Sequence, residues 1–141
     1  GDIVVVTEDC KFALTETTLG IPPAQIAPFV AHRIGLAKAR RIMLTAARFT
    51  GKEAFEMGLA DFIAKDANDL KNIESDIIKG VMNCAPGANA ITKEIVLATR
   101  HLERSEMIDF AAKGFAERML SDEGREGIAS FIEKRKPKWS K

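Results

Sequence analysis

The sequence predicts a mixed α/β chain whose strands come early and whose second half is helical. Residues 3–6 are all aliphatic, as in a strand buried on both faces. From about residue 68 onward, apolar residues recur at the helical period. Of the 141 residues, 46% are hydrophobic and 29% are charged, which suits a globular chain with a sizeable core.

The first half alternates short strands with helices. Strands are predicted at 3–6, 11–14 and 59–64, and helices after the Pro22-Pro23 pair, at 37–47 and after Thr50. The first helix should begin near Pro23 or Ala24, since proline suits the first helical position, and should end at Gly35. Thr50 and Glu53 match a capping box, and the helix that they start should end at Gly58. In the second predicted helix we expect three residues to face inward: Ile42, Met43 and Leu44.

Four helices are predicted in the second half. The first should be capped by Asn68 or Asp69 and run to about residue 83, and Pro86 should open the next. A third begins at Ser105 or Glu106, and a fourth at residues 121–123. The last three carry much apolar surface, which either docks on a partner subunit or packs on this chain's own core.

Several classes of site are disfavoured by composition and spacing. A net charge of +1 gives no nucleic-acid footprint, and no apolar run approaches the ~20 residues of a membrane span. Cys10 and Cys84 lack metal-ligand spacing and are predicted to be reduced, buried thiols. His32 and His101 are isolated and read as helix-surface or packing residues. No glycine-rich phosphate loop is present, and no metal site is predicted.

One carboxylate stands out by position. Glu16 lies between the second predicted strand and the proline-started helix, where unpaired backbone N–H groups could cooperate with a carboxylate and a bound water. A solvated or capping role is the alternative, and no second carboxylate partner is visible. Near the C-terminus, Phe131 and Lys134 stand one helical turn apart, an arrangement suited to an aromatic, anionic ligand.

Four segments give the chain a family resemblance. They are GDIVVVTEDCKF at 1–12, ETTLGIPP at 16–23, LTAARFTGKEA at 44–54 with GLAD at 58–61, and EGIASFIEKRKP at 126–137. In this order and spacing they resemble the C-terminal half of the crotonase superfamily, specifically its enoyl-CoA hydratase/isomerase members. The resemblance covers essentially the whole chain.

The resemblance implies a fold and an assembly. The fold is the C-terminal portion of a crotonase (ClpP-like) ββα spiral. Residues 1–85 would form the C-terminal part of its α/β core, and residues 86–141 a helical oligomerisation region. The expected assembly is a homotrimer or a dimer of trimers, in the cytoplasm or, in a eukaryote, in the mitochondrial matrix.

The resemblance also implies a reaction, the syn addition of water to a 2-enoyl-CoA. Glu16 matches the glutamate that transfers a proton at the α carbon, with Thr15 beside it as a substrate contact. The backbone N–H of Ala24 matches the one that helps hold the attacking water. Three positions match contacts to the adenine and phosphates of coenzyme A, partly across a subunit interface: Phe115, Phe131 and Lys134. The acyl-CoA thioester is itself the substrate, so no separate cofactor is expected.

Two departures qualify this expectation. In the family, the first hydratase glutamate and the oxyanion-hole donors precede the position of Gly1. We therefore expect the chain alone to be inactive, with a separate N-terminal segment as one potential partner. The residues from Pro22 to Val30 replace a glycine-rich stretch and resemble the methylglutaconyl- or isohexenylglutaconyl-CoA hydratase branch. The alternatives are a Δ3,Δ2-enoyl-CoA isomerase and a non-catalytic assembly fragment.

Overall fold

The computed structural model describes residues 1–140, and the chain divides into two units, Gly1–Asp76 and a second that begins at Ile77. Its elements are β1 (Val5–Thr7), β2 (Lys11–Ala13), a 3₁₀-helix (Glu16–Leu19), α1 (Ala27–Ile34), α2 (Leu36–Leu44), β3 (Arg48–Thr50), α3 (Gly51–Met57), β4 (Phe62–Ala64), α4 (Ala67–Met82), α5 (Pro86–Ala98), α6 (Arg104–Leu120) and α7 (Asp122–Ile132). Every strand in the described residues lies in the first unit, as the sequence predicts.

The strands of the first unit form two small sheets. β1 pairs in parallel with β4, and β2 pairs antiparallel with β3. Val6 is buried in β1, whereas Ile3, predicted to lie in that strand, is 45% exposed and precedes it. β3 was not predicted, because it is only three residues long and begins directly after the range predicted to be helical, 37–47. Its Phe49 stacks on Phe12 of β2 with ring centroids 5.3 Å apart.

The core of the first unit forms around α2. Its buried members are Leu14, Ile34, Ala39, Ile42, Phe49, Ala54 and Met57. Ile42 is only 2% exposed and Met43 is half-buried, as predicted, but the prediction for Leu44 is wrong, since its side chain is 76% exposed. Residues two apart on a helix point to different sides, so Ile42 and Leu44 cannot both face the core.

Helix α1 begins at Ala27, later than the predicted start near Pro23 or Ala24. A helix begun at Pro23 would place Pro28 in its interior, where the ring clashes with the carbonyl group four residues earlier. The observed start puts Pro28 in the first turn, whose N–H groups have no intrahelical partner. The preceding residues form a turn in which the N–H of Ala27 donates to the carbonyl oxygen of Pro23 at 2.9 Å.

Other predicted helix ends are confirmed. Gly35 ends α1 at φ 81°, Gly58 ends α3 at φ 85°, and the Thr50–Glu53 capping box is present in full. At the start of α3, a Cβ on Gly51 would lie 1.8 Å from the carbonyl oxygen of Thr7, so this close approach to β1 requires glycine. The capping box also lowers the pKa of Glu53, chiefly through the hydrogen bond from the Thr50 N–H.

Two predicted details near α4 need correction. Its cap is Asp66, whose Oδ1 accepts from the N–H groups of both Asn68 and Asp69, the residues predicted to cap it. Each of those residues lies inside the first turn, where its N–H group is a donor.

Cys84, which follows α4, is exposed rather than buried, while Cys10 is half-buried; both thiols are free, as predicted.

The second unit packs α5, α6 and α7 in sequence. Gly114 on α6 is buried, and a Cβ there would lie 2.8 Å from the Ile91 side chain of α5, so glycine permits the close crossing. Helix α7 starts at Asp122, within the predicted range 121–123, and the hydroxyl of Ser121 caps it by accepting from the N–H of Gly124. Helix α6 begins at Arg104, slightly before the predicted start, because Glu103 and not Ser105 forms its capping box.

Candidate active site

Glu16 is the first residue of the 3₁₀-helix and lies three positions after Ala13, the last residue of β2. The helix closes at Gly20, which adopts φ 76° and donates its N–H to the carbonyl oxygen of Thr17 at 3.2 Å. The N–H of Ile21 donates to the carbonyl oxygen of Glu16 at 3.3 Å. This tight turn, and not the N-terminus of α1, fixes the backbone of Glu16. Glu16 lies between β2 and α1, as predicted, but the 3₁₀-helix and residues 20–26 separate it from the N-terminus of α1.

The last turn of α2 and the residues after it bind the chain on both sides of Glu16. Upstream, the N–H of Leu14 donates to the carbonyl oxygen of Ala47 at 3.1 Å. Downstream, the hydroxyl of Thr17 donates to the carbonyl oxygen of Met43 at 3.1 Å. Residues 43–47 thus form the support of Glu16, and we call them the α2 turn.

The carboxyl group of Glu16 is unusual in its environment. Its Oε2 atom is buried, and no group in residues 1–140 makes a hydrogen bond with it. Leaving a buried polar atom unpaired costs about 1–3 kcal/mol, so nearly all such atoms in folded proteins have a partner. The unpaired carboxylate oxygen of Glu16 is therefore an exception to this rule, and it is the strongest sign of a site in the first unit.

The two other predicted residues of this segment lie close to Glu16 along the chain. Thr15 is half-buried, and its carbonyl oxygen accepts from the hydroxyl of Thr18 at 2.7 Å. The N–H of Ala24 donates to the carbonyl oxygen of Pro22 at 2.8 Å within the turn before α1. A water held by this N–H would share it with that carbonyl group. The roles predicted for Thr15 and Ala24 stay predictions.

The three residues predicted to contact coenzyme A lie in the second unit. Phe115 on α6 is 67% exposed and Phe131 on α7 is 85% exposed, so both rings are presented to solvent. Lys134 follows α7 at φ 53°, and its N–H donates to the carbonyl oxygen of Phe131 at 3.3 Å. Phe131 and Lys134 are therefore neighbours at the exposed end of one helix.

An ion-pair cluster holds the chain just after α7. Arg135 donates from Nη1 and Nη2 to the two carboxylate oxygens of Glu126, at 2.6 and 3.1 Å. The same guanidinium group also pairs with Glu133. The backbone N–H of Lys138 donates to Oε1 of Glu126 at 3.0 Å. The hydrogen bonds from Arg135 lower the pKa of Glu126 to about 2. This carboxylate is ionised and fully paired, so it fixes the turn that carries Lys134.

A groove of about 610 Å³ opens between α2, β3 and α3, and Glu16 is not among the residues that line it. Five charged side chains line it: Lys38, Arg41, Arg48, Glu53 and Glu56. Lys38 already donates to the carbonyl oxygen of Met57 at 2.8 Å, at the C-terminal end of α3. Because charges of both signs line this groove, it presents no concentrated field to an anionic ligand.

Residues 1–140 contain neither a cluster suited to a metal ion nor a membrane-spanning helix. In that range, no three His, Cys, Asp or Glu side chains cluster closely enough to hold a metal ion. None of its helices is long and apolar enough to cross a membrane. His32 and His101 are exposed, as predicted.

The hydrogen bond of Thr17 to Met43 could not be predicted from the sequence, because its donor and acceptor lie 26 positions apart.

Comparison with known proteins adds a family context. The enoyl-CoA hydratase/isomerase family model matches residues 1–141. The peroxisomal Δ(3,5)-Δ(2,4)-dienoyl-CoA isomerase of Arabidopsis thaliana is 30% identical over 144 residues, which cover 99% of this chain and 51% of that protein. A probable enoyl-CoA hydratase of Bacillus subtilis is 30% identical over 138 residues, covering 97% of this chain and 54% of that protein.

A solved structure shares the fold. Pseudomonas aeruginosa AtuE matches with a TM-score of 0.97 and 47% identity, over 100% of this chain and 55% of that one. The predicted α/β crotonase fold class is thereby confirmed. The chain spans about half the length of the relatives that it matches.

Proposed function

Because the chain belongs to the enoyl-CoA hydratase/isomerase family, we propose that it supplies a proton-transferring carboxylate, Glu16, to an enzyme that adds water to a 2-enoyl-CoA thioester. The observation that carries the proposal is the buried Oε2 atom of Glu16, which has no hydrogen-bond partner within residues 1–140. A general acid must present its proton to the substrate and not to a neighbouring protein group.

The proposed reaction forms a C–O bond at the β carbon and a C–H bond at the α carbon. In its acid form, Glu16 gives its proton to the α carbon, and the proton released from the attacking water restores the acid. The net change is the addition of one water molecule. The backbone donors that would stabilise the enolate oxygen belong to the family pattern and precede Gly1 there.

The coenzyme A part of the substrate is proposed to use Phe115, Phe131 and Lys134. Exposure of both rings and of the ammonium group supports this, because each is accessible to a ligand. A trimer or a dimer of trimers is proposed as the assembly. Large apolar side chains exposed in the second unit support it, among them Val96, Ile108, Leu120 and Ile132.

A second candidate is an isomerase that moves a double bond. Two observations favour it: the Arabidopsis relative is named a dienoyl-CoA isomerase, and Oε2 of Glu16 is an unpaired carboxylate oxygen. In this reaction Glu16 would remove a proton from one carbon and return it to another. Turnover of a 3-enoyl-CoA without any hydrated product would favour the isomerase.

The proposal is tested with Glu16→Gln in the protein expressed at its full natural length. Glu56→Gln, on the exposed face of α3, is the matched control. With crotonyl-CoA, Glu16→Gln should lower kcat by about 10²–10⁴-fold, the usual share of general acid–base catalysis, with little change in KM. Glu56→Gln should match the unchanged protein. Equal turnover by Glu16→Gln would overturn the assignment.

A further inference from the structure

The 3₁₀-helix that begins with Glu16 contains two threonines with different hydrogen-bond partners. The hydroxyl of Thr17 donates to the carbonyl oxygen of Met43, in the α2 turn, at 3.1 Å. The hydroxyl of Thr18 donates to the carbonyl oxygen of Thr15 at 2.7 Å, within its own turn. Thr17 therefore joins the helix to a distant element, whereas Thr18 does not.

The helix needs such a joint because it is short. It has four residues, and 3₁₀ hydrogen bonds have poorer geometry than those of an α-helix. Upstream, the N–H of Leu14 holds the chain to Ala47. Downstream of Glu16, the hydroxyl of Thr17 provides the matching attachment to the same turn. Without it, the hydrogen bond of Leu14 to Ala47 remains upstream of Glu16, but its counterpart to Met43 downstream is lost.

The hydrogen bond of Thr17 matters because Oε2 of Glu16 is buried without a partner. Such an oxygen would gain hydrogen bonds by moving into water, so the fold must hold the Glu16 side chain in place. We propose that Thr17 is a positioning residue, whose hydrogen bond to Met43 keeps the Glu16 carboxyl group buried and aligned for proton transfer. The inference rests on the function proposed for Glu16.

The expected effect is on the chemical step. A displacement of about 1 Å in a catalytic group can lower the rate by up to ~10²-fold. The net energy of one neutral hydrogen bond corresponds to a rate change of roughly fivefold to tenfold, so loss of the Thr17 bond should lower the rate by about that factor. Thr17 is exposed, and its hydroxyl is turned toward Met43. Its loss should therefore lower kcat and leave KM unchanged.

The test compares four variants of the protein at its full natural length, assayed with crotonyl-CoA. Thr17→Val keeps the shape of the side chain and removes its hydroxyl group, whereas Thr17→Ser keeps the hydroxyl group. Thr18→Val is the matched control, and Glu16→Gln tests the proposed function. Thr17→Val should lower kcat about fivefold to tenfold at constant KM. Thr17→Ser should recover most of that loss, and Thr18→Val should stay within about twofold of the unchanged protein. Should Thr17→Val fail to fold, Thr17→Ala takes its place with the same expectations.

Each other outcome is decisive. If Thr17→Val matches the unchanged protein while Glu16→Gln is inactive, the positioning role is wrong and the proposed function stands. If Thr18→Val loses as much kcat as Thr17→Val, the joint to Met43 is not what matters, and the inference is overturned. If Glu16→Gln is fully active, the proposed function fails, and Thr17 has no catalytic group to position.

Discussion

Two half-buried glutamates, one in each unit, occupy opposite environments. Both carboxylate oxygens of Glu126 are paired, with Arg135 as the main donor and the N–H of Lys138 in addition. Oε2 of Glu16 is buried and has no partner in the part of the chain that the structure describes. The two residues are the same in type and similar in exposure class, and differ in what surrounds the carboxyl group.

The difference separates a carboxylate that is fully paired within the fold from one that we propose to be reactive. Arg135 lowers the pKa of Glu126 to about 2 through its hydrogen bonds, and both oxygens of this carboxylate are occupied by donors of the protein. Its charge also raises the pKa of Arg135 through their hydrogen bonds, so the pair is strongly ionised. Oε2 of Glu16 has no such donor within residues 1–140. Substitutions at the two positions should therefore have different consequences.

The largest effect on stability is expected from Glu126→Gln. The substitution removes the charge that three donors share, and it should lower the midpoint of thermal unfolding at pH 7. Because the pKa of Glu126 falls from 4.5 to about 2 on folding, the unfolded chain binds more protons between these values. The stabilisation is thus complete above about pH 4.5 and is lost as the pH falls toward 2. Glu126→Gln should abolish this part of the pH dependence.

Glu133→Gln is the matched control for that prediction. Glu133 also pairs with Arg135, but its side chain is 57% exposed, and exposed ion pairs contribute little. Thermal unfolding followed by circular dichroism from pH 2 to pH 7 compares the two variants with the unchanged protein. If both variants lower the unfolding midpoint equally, or if Glu126→Gln leaves its pH dependence unchanged, the Glu126–Arg135 pair is not the main source of this stabilisation.

An intermediate effect is expected on substrate binding from Lys134→Met. The ammonium group is proposed to attract coenzyme A phosphates, so its removal should raise KM about fivefold, with kcat unchanged. Added salt should weaken binding to the unchanged protein more than to the variant. Lys136→Met, at an exposed position two residues on, is the control and should leave KM within about twofold. Equal KM values for the protein and Lys134→Met would remove Lys134 from the site.

The smallest effect is expected at the α2 turn. Ala46 adopts φ 48°, a conformation that costs an L-residue with a Cβ about 1 kcal/mol and that glycine adopts freely. Ala46→Gly should therefore raise the free energy of unfolding by up to ~1 kcal/mol, after the entropy that glycine loses. Ala37→Gly in α2 is the control and should lower it by about 0.5–1 kcal/mol. Urea unfolding measures both, and destabilisation by Ala46→Gly would show that the turn is unstrained.

Much of the local structure could be predicted because it depends on neighbouring residues. Three features involve interactions within three or four positions: the Thr50–Glu53 capping box, the helix end at Gly35 and the helix start at residues 121–123. The same holds for Glu16, which follows a strand and precedes paired prolines. Its place in a turn after β2 was predictable, although the 3₁₀-helix was not.

Features that depend on distant residues could not be predicted. β3 exists through pairing with β2, some 37 positions earlier at Phe12 and Phe49. The positive φ of Ala46 ends α2 before the predicted boundary, and no sequence pattern marks it. Burial of Glu16 Oε2 likewise results from tertiary packing. The candidate residue was therefore visible in the sequence, whereas the state of its carboxyl group was not.

The central claim is that Glu16 transfers the proton at the α carbon. Hydration of crotonyl-CoA in D₂O, followed by NMR, measures deuterium incorporation at that carbon. The protein at its full natural length and Glu56→Gln should incorporate one deuterium per turnover at the same rate. Glu16→Gln should bind the thioester and incorporate deuterium at least about 10²-fold more slowly. Incorporation by Glu16→Gln at the unchanged rate would contradict the claim.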